Sequence, residues 1–188
     1  AKGVACYFYL ANHVKTRSDL RLVGSCLTVG LLIEGLIACA QAITGSSLGL
    51  EVFGERQEED LVTIELMYTE ILRVGGTIGH PNGLGRYLAV VLPVAFLLTL
   101  RACRMGWLMR VAAVVAAVSG AIALVLTLSR AGWISAAAAF AVLVTWLLSQ
   151  RQLRRGAGQA VVVLAVIGVI LACFAPLIMS RWFESGAG

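Results

Sequence analysis

The chain has 188 residues, of which 60% are hydrophobic and only 13% charged, with a formal net charge of +5. Ordinary soluble domains carry about twice that charged fraction, and a chain this short has too little interior to hide so much apolar surface. A soluble globular fold is thereby excluded, and a polytopic, all-α transmembrane bundle is predicted. In such a bundle, runs of about 20 apolar residues match a hydrocarbon core of ~30 Å.

The opening stretch, AKGVACYFYLANHV at 1–14, starts apolar and without methionine. It lacks the basic start, short apolar core and small-residue cleavage site of a secretory signal, and reads as the end of an earlier helix. Together with the abrupt close at SRWFESGAG, ending at Gly188, it leads to the expectation that this is a piece of a larger membrane protein, all of 1–188 belonging to one transmembrane domain.

The first complete span is expected at 22–43. Glu34 falls near its middle, where an ionisable group is costly and defaults to a paired or functional role. Gln41, seven residues on, shares that face, so an interhelical hydrogen bond in a structural role is the favoured reading. Residues 44–82 then form a long outer loop rich in acids, Glu51, Glu55, Glu58, Glu59, Asp60, Glu65 and Glu70 standing against Arg56 and Arg73. Its first part reads as solvated. The segment LVTIELMYTEILRV fits both a strand alternation and a helix face, and is expected to lie on the membrane surface in one form or the other.

The next stretch, RVGGTIGHPNGLGRYLAVVLP, runs from a polar loop straight into an apolar run. Pro81 disfavours helix at His80, which makes Asn82 the expected N-cap of the span at 84–100. The unpaired N–H groups and dipole of that first turn favour an anion. Arg86 shares its face and Arg73 can reach it from the loop. The plain alternative is a helix cap with arginines at lipid headgroups.

Val111 to Leu148 is nearly two spans of apolar sequence broken only by LSRAGW, so the chain is expected to turn near Ser129 and Arg130 between spans at 111–128 and 131–148. Small residues in SGAIALVLTLSRAGWISAAAAFA suit close helix packing. A last span is expected at 160–179. Three basic loops, with Lys15, Arg17 and Arg21, then Arg101, Arg104 and Arg110, then Arg151, Arg154 and Arg155, all fall on one side when the spans are counted. The positive-inside rule makes that side cytoplasmic, leaving 44–82, Arg130 and Arg181 outside. Arg130 thus stands on the disfavoured side, and its planar fork suits bidentate phosphate binding; snorkelling or pairing with an outer acid is the alternative. His13 carries no expected task. The five cysteines show no metal-binding or disulfide spacing, Cys6, Cys26, Cys39 and Cys173 reading as small hydrophobes.

RVGGTIGHPNGLGRYLAVVLPVAFLL, followed one helical hairpin later by LTLSRAGWISAAAAF, resembles the bacterial O-antigen ligase and O-antigen polymerase superfamily. The likeness covers about Arg73 to Arg181: an Arg, a Gly-Thr and a His-Pro-Asn before one span, and a Ser-Arg followed by small residues between two more. It implies an inner-membrane glycosyltransferase, independent of metals and cofactors, working at the periplasmic face in surface polysaccharide synthesis. The donor would be a glycan on undecaprenyl pyrophosphate. The acceptor would be lipid A-core, another lipid-linked glycan or a protein side chain; no nucleic acid is expected as a partner. The resemblance assigns pyrophosphate binding to Arg130 and Arg73, with His80, Asn82 and Arg86 around them. It places the family's proposed catalytic histidine in a large outer loop that should follow Arg181, so the proposed base is expected beyond Gly188. His80 does not inherit that role, and the 188 residues alone are expected to be inactive. A secondary transporter or channel for an anionic solute is the reading from another class, opposed by the lack of paired interrupted helices or internal symmetry. A non-catalytic membrane scaffold is a third.

Overall fold

A computed structural model of the chain describes residues 12–57, 63–66, 69–101 and 107–149. Expectations for 1–11, for Arg104, for the basic loop at 151–155 and for a span at 160–179 lie outside the described residues. So do those for Arg181 and for an outer loop with a catalytic base beyond Gly188.

Four long helices carry the fold: α1 (Arg17–Thr44), α2 (Pro81–Arg101), α3 (Trp107–Leu126) and α4 (Arg130–Ser149). Each overlaps an expected span. Residues 18–44 and 107–126 are long and apolar enough to cross a bilayer; the apolar parts of the other two, 81–97 and 130–146, are shorter. Among the described residues the fold is therefore helical, with two helices of spanning length and composition.

The ends of α1 are written in its sequence. Thr16 caps it in a reciprocal box, its hydroxyl accepting from the Asp19 N–H at 3.1 Å while Asp19 accepts from the Thr16 N–H at 2.9 Å. Gly45 closes it in the left-handed region (φ 67°), its N–H donating to the Gln41 carbonyl at 2.9 Å. Leu22, Val29, Leu36 and Ile43 repeat every seven residues and are all exposed, an apolar stripe along most of the helix.

Packing follows small residues. α1 lies chiefly against α3, and α2 lies against both α3 and α4. Gly35 meets Ser119 and Gly120, and a side chain at Gly120 would strike Leu31. The core between these helices is built from Leu31, Leu84, Leu88, Leu92, Ala116 and Ala123. Phe96 and Phe140 add an edge-to-face ring pair 5.7 Å apart between α2 and α4. The small-residue run of α3 and α4 thus packs helices closely, as its composition suggests.

The ambiguous outer segment is a hairpin. Strands β1 (Thr63–Leu66) and β2 (Thr69–Leu72) pair antiparallel, with Thr63 opposite Leu72 and Leu66 opposite Thr69. The alternating reading prevails over the helical one because both strands are too short to gain from helical cooperativity, while each supplies the other's hydrogen bonds. The 3-10 turns Glu51–Phe53 and Gly76–Ile78 flank the hairpin in sequence.

Candidate functional site

The loop between β2 and α2 is seated against α1 by side chains from three turns of chain. Gln41 accepts from the Gly76 N–H at 3.0 Å through its carbonyl oxygen and donates through its amide to Glu55 at 2.6 Å. Glu34 accepts from the Thr77 N–H at 3.1 Å and also from the Thr77 hydroxyl. Glu55 in turn accepts from the Leu48 and Leu50 N–H groups at 2.8 and 2.7 Å. Burial pushes the Glu55 carboxyl up, but the donors of Leu48, Gln41 and Leu50 outweigh it and hold it below its ordinary value. Glu34 and Gln41 do share a face of α1, and their role is structural in the sense expected. Their common partner differs: they grip consecutive residues of a loop rather than another helix. Only glycine suits position 76, since its φ is +57° and a Cβ would enter the Glu34 carboxylate.

The same loop and the start of α2 carry Arg73, His80, Asn82 and Arg86. Here the structure corrects one expectation: α2 begins at Pro81, so Asn82 lies inside the first turn and is not the cap. Proline is favoured as the first helical residue because its missing N–H is not needed there. The His80 ring supplies the capping acceptor instead, Nδ1 taking the Asn82 N–H at 3.1 Å. The Asn82 side chain is released for Arg73, which donates to its Oδ1 at 2.9 Å. Arg86 is exposed and donates to the Asn82 carbonyl at 3.1 Å. The loop and first turn thus gather four of the five expected residues into one hydrogen-bonded group.

Arg73 also joins this group to the α3–α4 turn. Its Nε donates to the Thr127 carbonyl at 3.0 Å and its Nη2 to the Leu128 carbonyl at 3.5 Å, and the Val74 N–H reaches Leu126 at 3.4 Å. Leu128 is fully buried and left-handed (φ 50°), a conformation that costs a non-glycine residue about 1–2 kcal/mol. Ser129 then caps α4, its hydroxyl accepting from the Gly132 N–H at 3.3 Å. The Trp133 indole N–H donates to the Leu124 carbonyl at 3.0 Å and ties the first turn of α4 back onto α3. Arg130, half-buried, is the first residue of α4, two residues beyond the carbonyl that Arg73 holds.

Gly85 and Gly132 complete the arrangement: a Cβ on Gly132 would come within 3.1 Å of the Gly85 backbone. At that crossing the start of α2 and the start of α4 lie side by side. The first-turn N–H groups of α2 at Asn82, Gly83 and Leu84 are taken by His80, but each helix start still carries roughly half a positive charge from its dipole, and Arg73, Arg86 and Arg130 share that end of the bundle. Such an end stabilises a polyanion, above all one developing charge away from bulk water.

Sequence reasoning missed the Glu55 clamp, the strained Leu128 and the Gly85–Gly132 crossing. Nothing distinguishes Glu55 from the other acids of its loop in sequence, whereas the GxxxG-like spacing rule for small residues would have singled out Gly85 had the partner helix been known. Among the described residues, no group of three or more His, Cys, Asp or Glu side chains is placed to hold a metal. No family model, curated protein or solved structure matches the chain.

Proposed function

We propose that this chain forms the membrane part of a glycosyltransferase of the O-antigen ligase or polymerase kind, with four to five spans and its active face in the periplasm. The observation that carries the reading is the convergence of two helix starts, at Pro81 and Arg130, with Arg73, Asn82 and Arg86 joined by hydrogen bonds beside them. The motif resemblance supplies the chemical identity of the anion, the pyrophosphate of a lipid-linked glycan. A polyprenyl tail keeps that group at the bilayer edge, which is where the helices of this end begin.

In the reaction, an acceptor hydroxyl oxygen bonds to the anomeric carbon of the donor as the bond from that carbon to the pyrophosphate oxygen breaks. The electron pair departs with undecaprenyl pyrophosphate. Its growing charge is met by the Arg130 fork and by the positive dipole ends of the two helix starts. Arg73 is a positioning residue in this scheme: with its nitrogens on Thr127, Leu128 and Asn82, it holds the Arg130 turn against the start of α2. The left-handed Leu128 supports the same view, since strain of this kind gathers at functional turns. No residue between Ala1 and Gly188 is assigned as the base that takes the acceptor proton.

The test is glycan transfer in cells carrying variants of the whole protein at matched membrane abundance. Arg130→Lys keeps the charge and loses the fork, so transfer should fall substantially, and Arg130→Ala should cost ~2–4 kcal/mol in the transition state, a hundredfold or more. Arg86→Lys should be milder, because its exposed position asks for charge and little geometry. Transfer at the parental rate by both Arg130 variants would remove Arg130 from the site.

A further inference from the structure

The turn Glu51–Phe53 carries two highly exposed apolar side chains, Val52 at 94% and Phe53 at 73% exposure. A loose loop would fold such a pair inward, since burying a side chain of this size is worth about 1.5–3 kcal/mol. This turn is held in place. The Phe53 N–H donates to the Leu50 carbonyl and the Gly54 N–H to the Glu51 carbonyl, both at 2.9 Å. Two residues later Glu55 is only 5% exposed and fastened to Gln41, Leu48 and Leu50. The backbone is anchored while the apolar tips project.

Their depth follows from the contacts of the same turn. Gln41 lies three residues before the end of α1. Gly54 packs on the loop that leads into α2: a methyl added there would lie 2.5 Å from the Thr77 carbonyl oxygen, and one on Gly79 would lie 2.6 Å from the Gly54 oxygen. Gly79 is two residues before Pro81, the start of α2. Val52 and Phe53 therefore ride at the level where α1 ends and α2 begins, near the last exposed turn of the α1 stripe, where Ile43 is 86% exposed.

We propose that the Glu51–Phe53 turn is an interfacial anchor that seats Val52 and Phe53 in the outer leaflet, between headgroups and acyl chains. The inference rests on the membrane reading given above, which puts the bilayer edge at this level. Aromatic and aliphatic tips on a polar turn are what the interface accepts. The exposed carboxylate of Glu51 in the turn itself favours zwitterionic headgroups over anionic ones. Because Gly54 packs on the Gly76–Gly79 loop and Glu55 and Gly76 share Gln41 as partner, the anchor also sets the height of the site at Asn82.

The test is spin-label accessibility in the whole protein, freed of native cysteines and reconstituted in phosphatidylcholine bilayers. Labels are placed by Phe53→Cys and, separately, Val52→Cys, with Leu36→Cys on the exposed stripe of α1 and Gln57→Cys in the loop as references. Collision with oxygen, which concentrates in lipid, is compared with collision with a nickel chelate, which stays in water. Labels at 52 and 53 should favour oxygen, less strongly than the label at 36 and more strongly than that at 57. Preference for nickel at 52 and 53, with oxygen still favoured at 36, would overturn the anchor and leave the membrane reading standing. Shielding of 52 and 53 from both reagents would mean that protein covers them, and the anchor would again be wrong. Preference for nickel at 36 as well would overturn the membrane reading and the anchor with it.

Discussion

Arg73 and Gly76 show how single residues are used twice at this end of the bundle. Arg73 was a candidate ligand by motif, yet its bonds to Thr127, Leu128 and Asn82 make it the staple between two parts of the chain far apart in sequence. Gly76 combines a left-handed backbone with a lack of room for a methyl group beside Glu34. Gly45 has the first property (φ +67°) without the second, nothing lying within 4 Å of its missing Cβ. The pair separates the two costs. Gly45→Ala should lower stability by about 1–2 kcal/mol from backbone conformation alone. Gly76→Ala should add a further ~1–3 kcal/mol because Glu34 must move. Thermal unfolding of both variants in one detergent measures the difference; equal midpoints would mean that the loop gives way without cost.

At the scale of elements, the outer third of α1 acts as a post to which a loop, a turn and a helix start are tied. Glu55 is the knot, taking three donors from Gln41, Leu48 and Leu50. Its carboxyl is held below the ordinary value of 4.5, so its contribution to stability is fully present above that value and is lost as pH falls through the lower, folded one. Amide hydrogen exchange, corrected for its intrinsic pH dependence, should show Leu48 and Leu50 losing protection on acidification below the ordinary carboxylate range. In Glu55→Gln, protection should already be reduced at neutral pH, by about 1.5–3 kcal/mol for hydrogen bonds to a charged group, and should not change further over that acidic range. An unaltered acid response in the variant would assign the effect to another group.

For the whole molecule, three helix ends gather at one end of the described bundle. The end of α1, the start of α2 and the α3–α4 turn meet through Gln41, Gly76, Arg73 and Thr127, the same three places that parity assigns to one side. The basic residues Lys15, Arg21 and Arg110 lie near the opposite helix ends. Membrane orientation is then an expectation of charge: the Arg104 loop inside, the Gln57 loop outside. In spheroplasts bearing the whole protein without native cysteines, an impermeant thiol reagent should label Gln57→Cys and spare Arg104→Cys until the membrane is broken. Labelling of position 104 from outside would reverse the topology and take the periplasmic site with it.

Much of this was legible in the residues themselves. Hydropathy and length place the four described helices, because a long apolar run satisfies its backbone groups within itself only as a helix, and two of them are long and apolar enough to cross a bilayer. Thr16, Asp19 and Gly45 mark the ends of α1 through bonds that span four residues or fewer. The break at Ser129 and Arg130 follows because an apolar stretch of twice the bilayer thickness must turn. What sequence could not decide is which polar atoms meet across long separations. Glu34 and Gln41 were known to share a face, but that they hold Gly76 and Thr77 depends on how a loop some 40 residues away settles against α1. The cap lies at His80 rather than Asn82 because the Asn82 side chain went to Arg73 and the His80 ring serves as acceptor, with Pro81 as the first helical residue. The convergence of two helix starts at Gly85 and Gly132 belongs to tertiary packing alone, since backbone approach is set by the shapes of both helices and is written in neither.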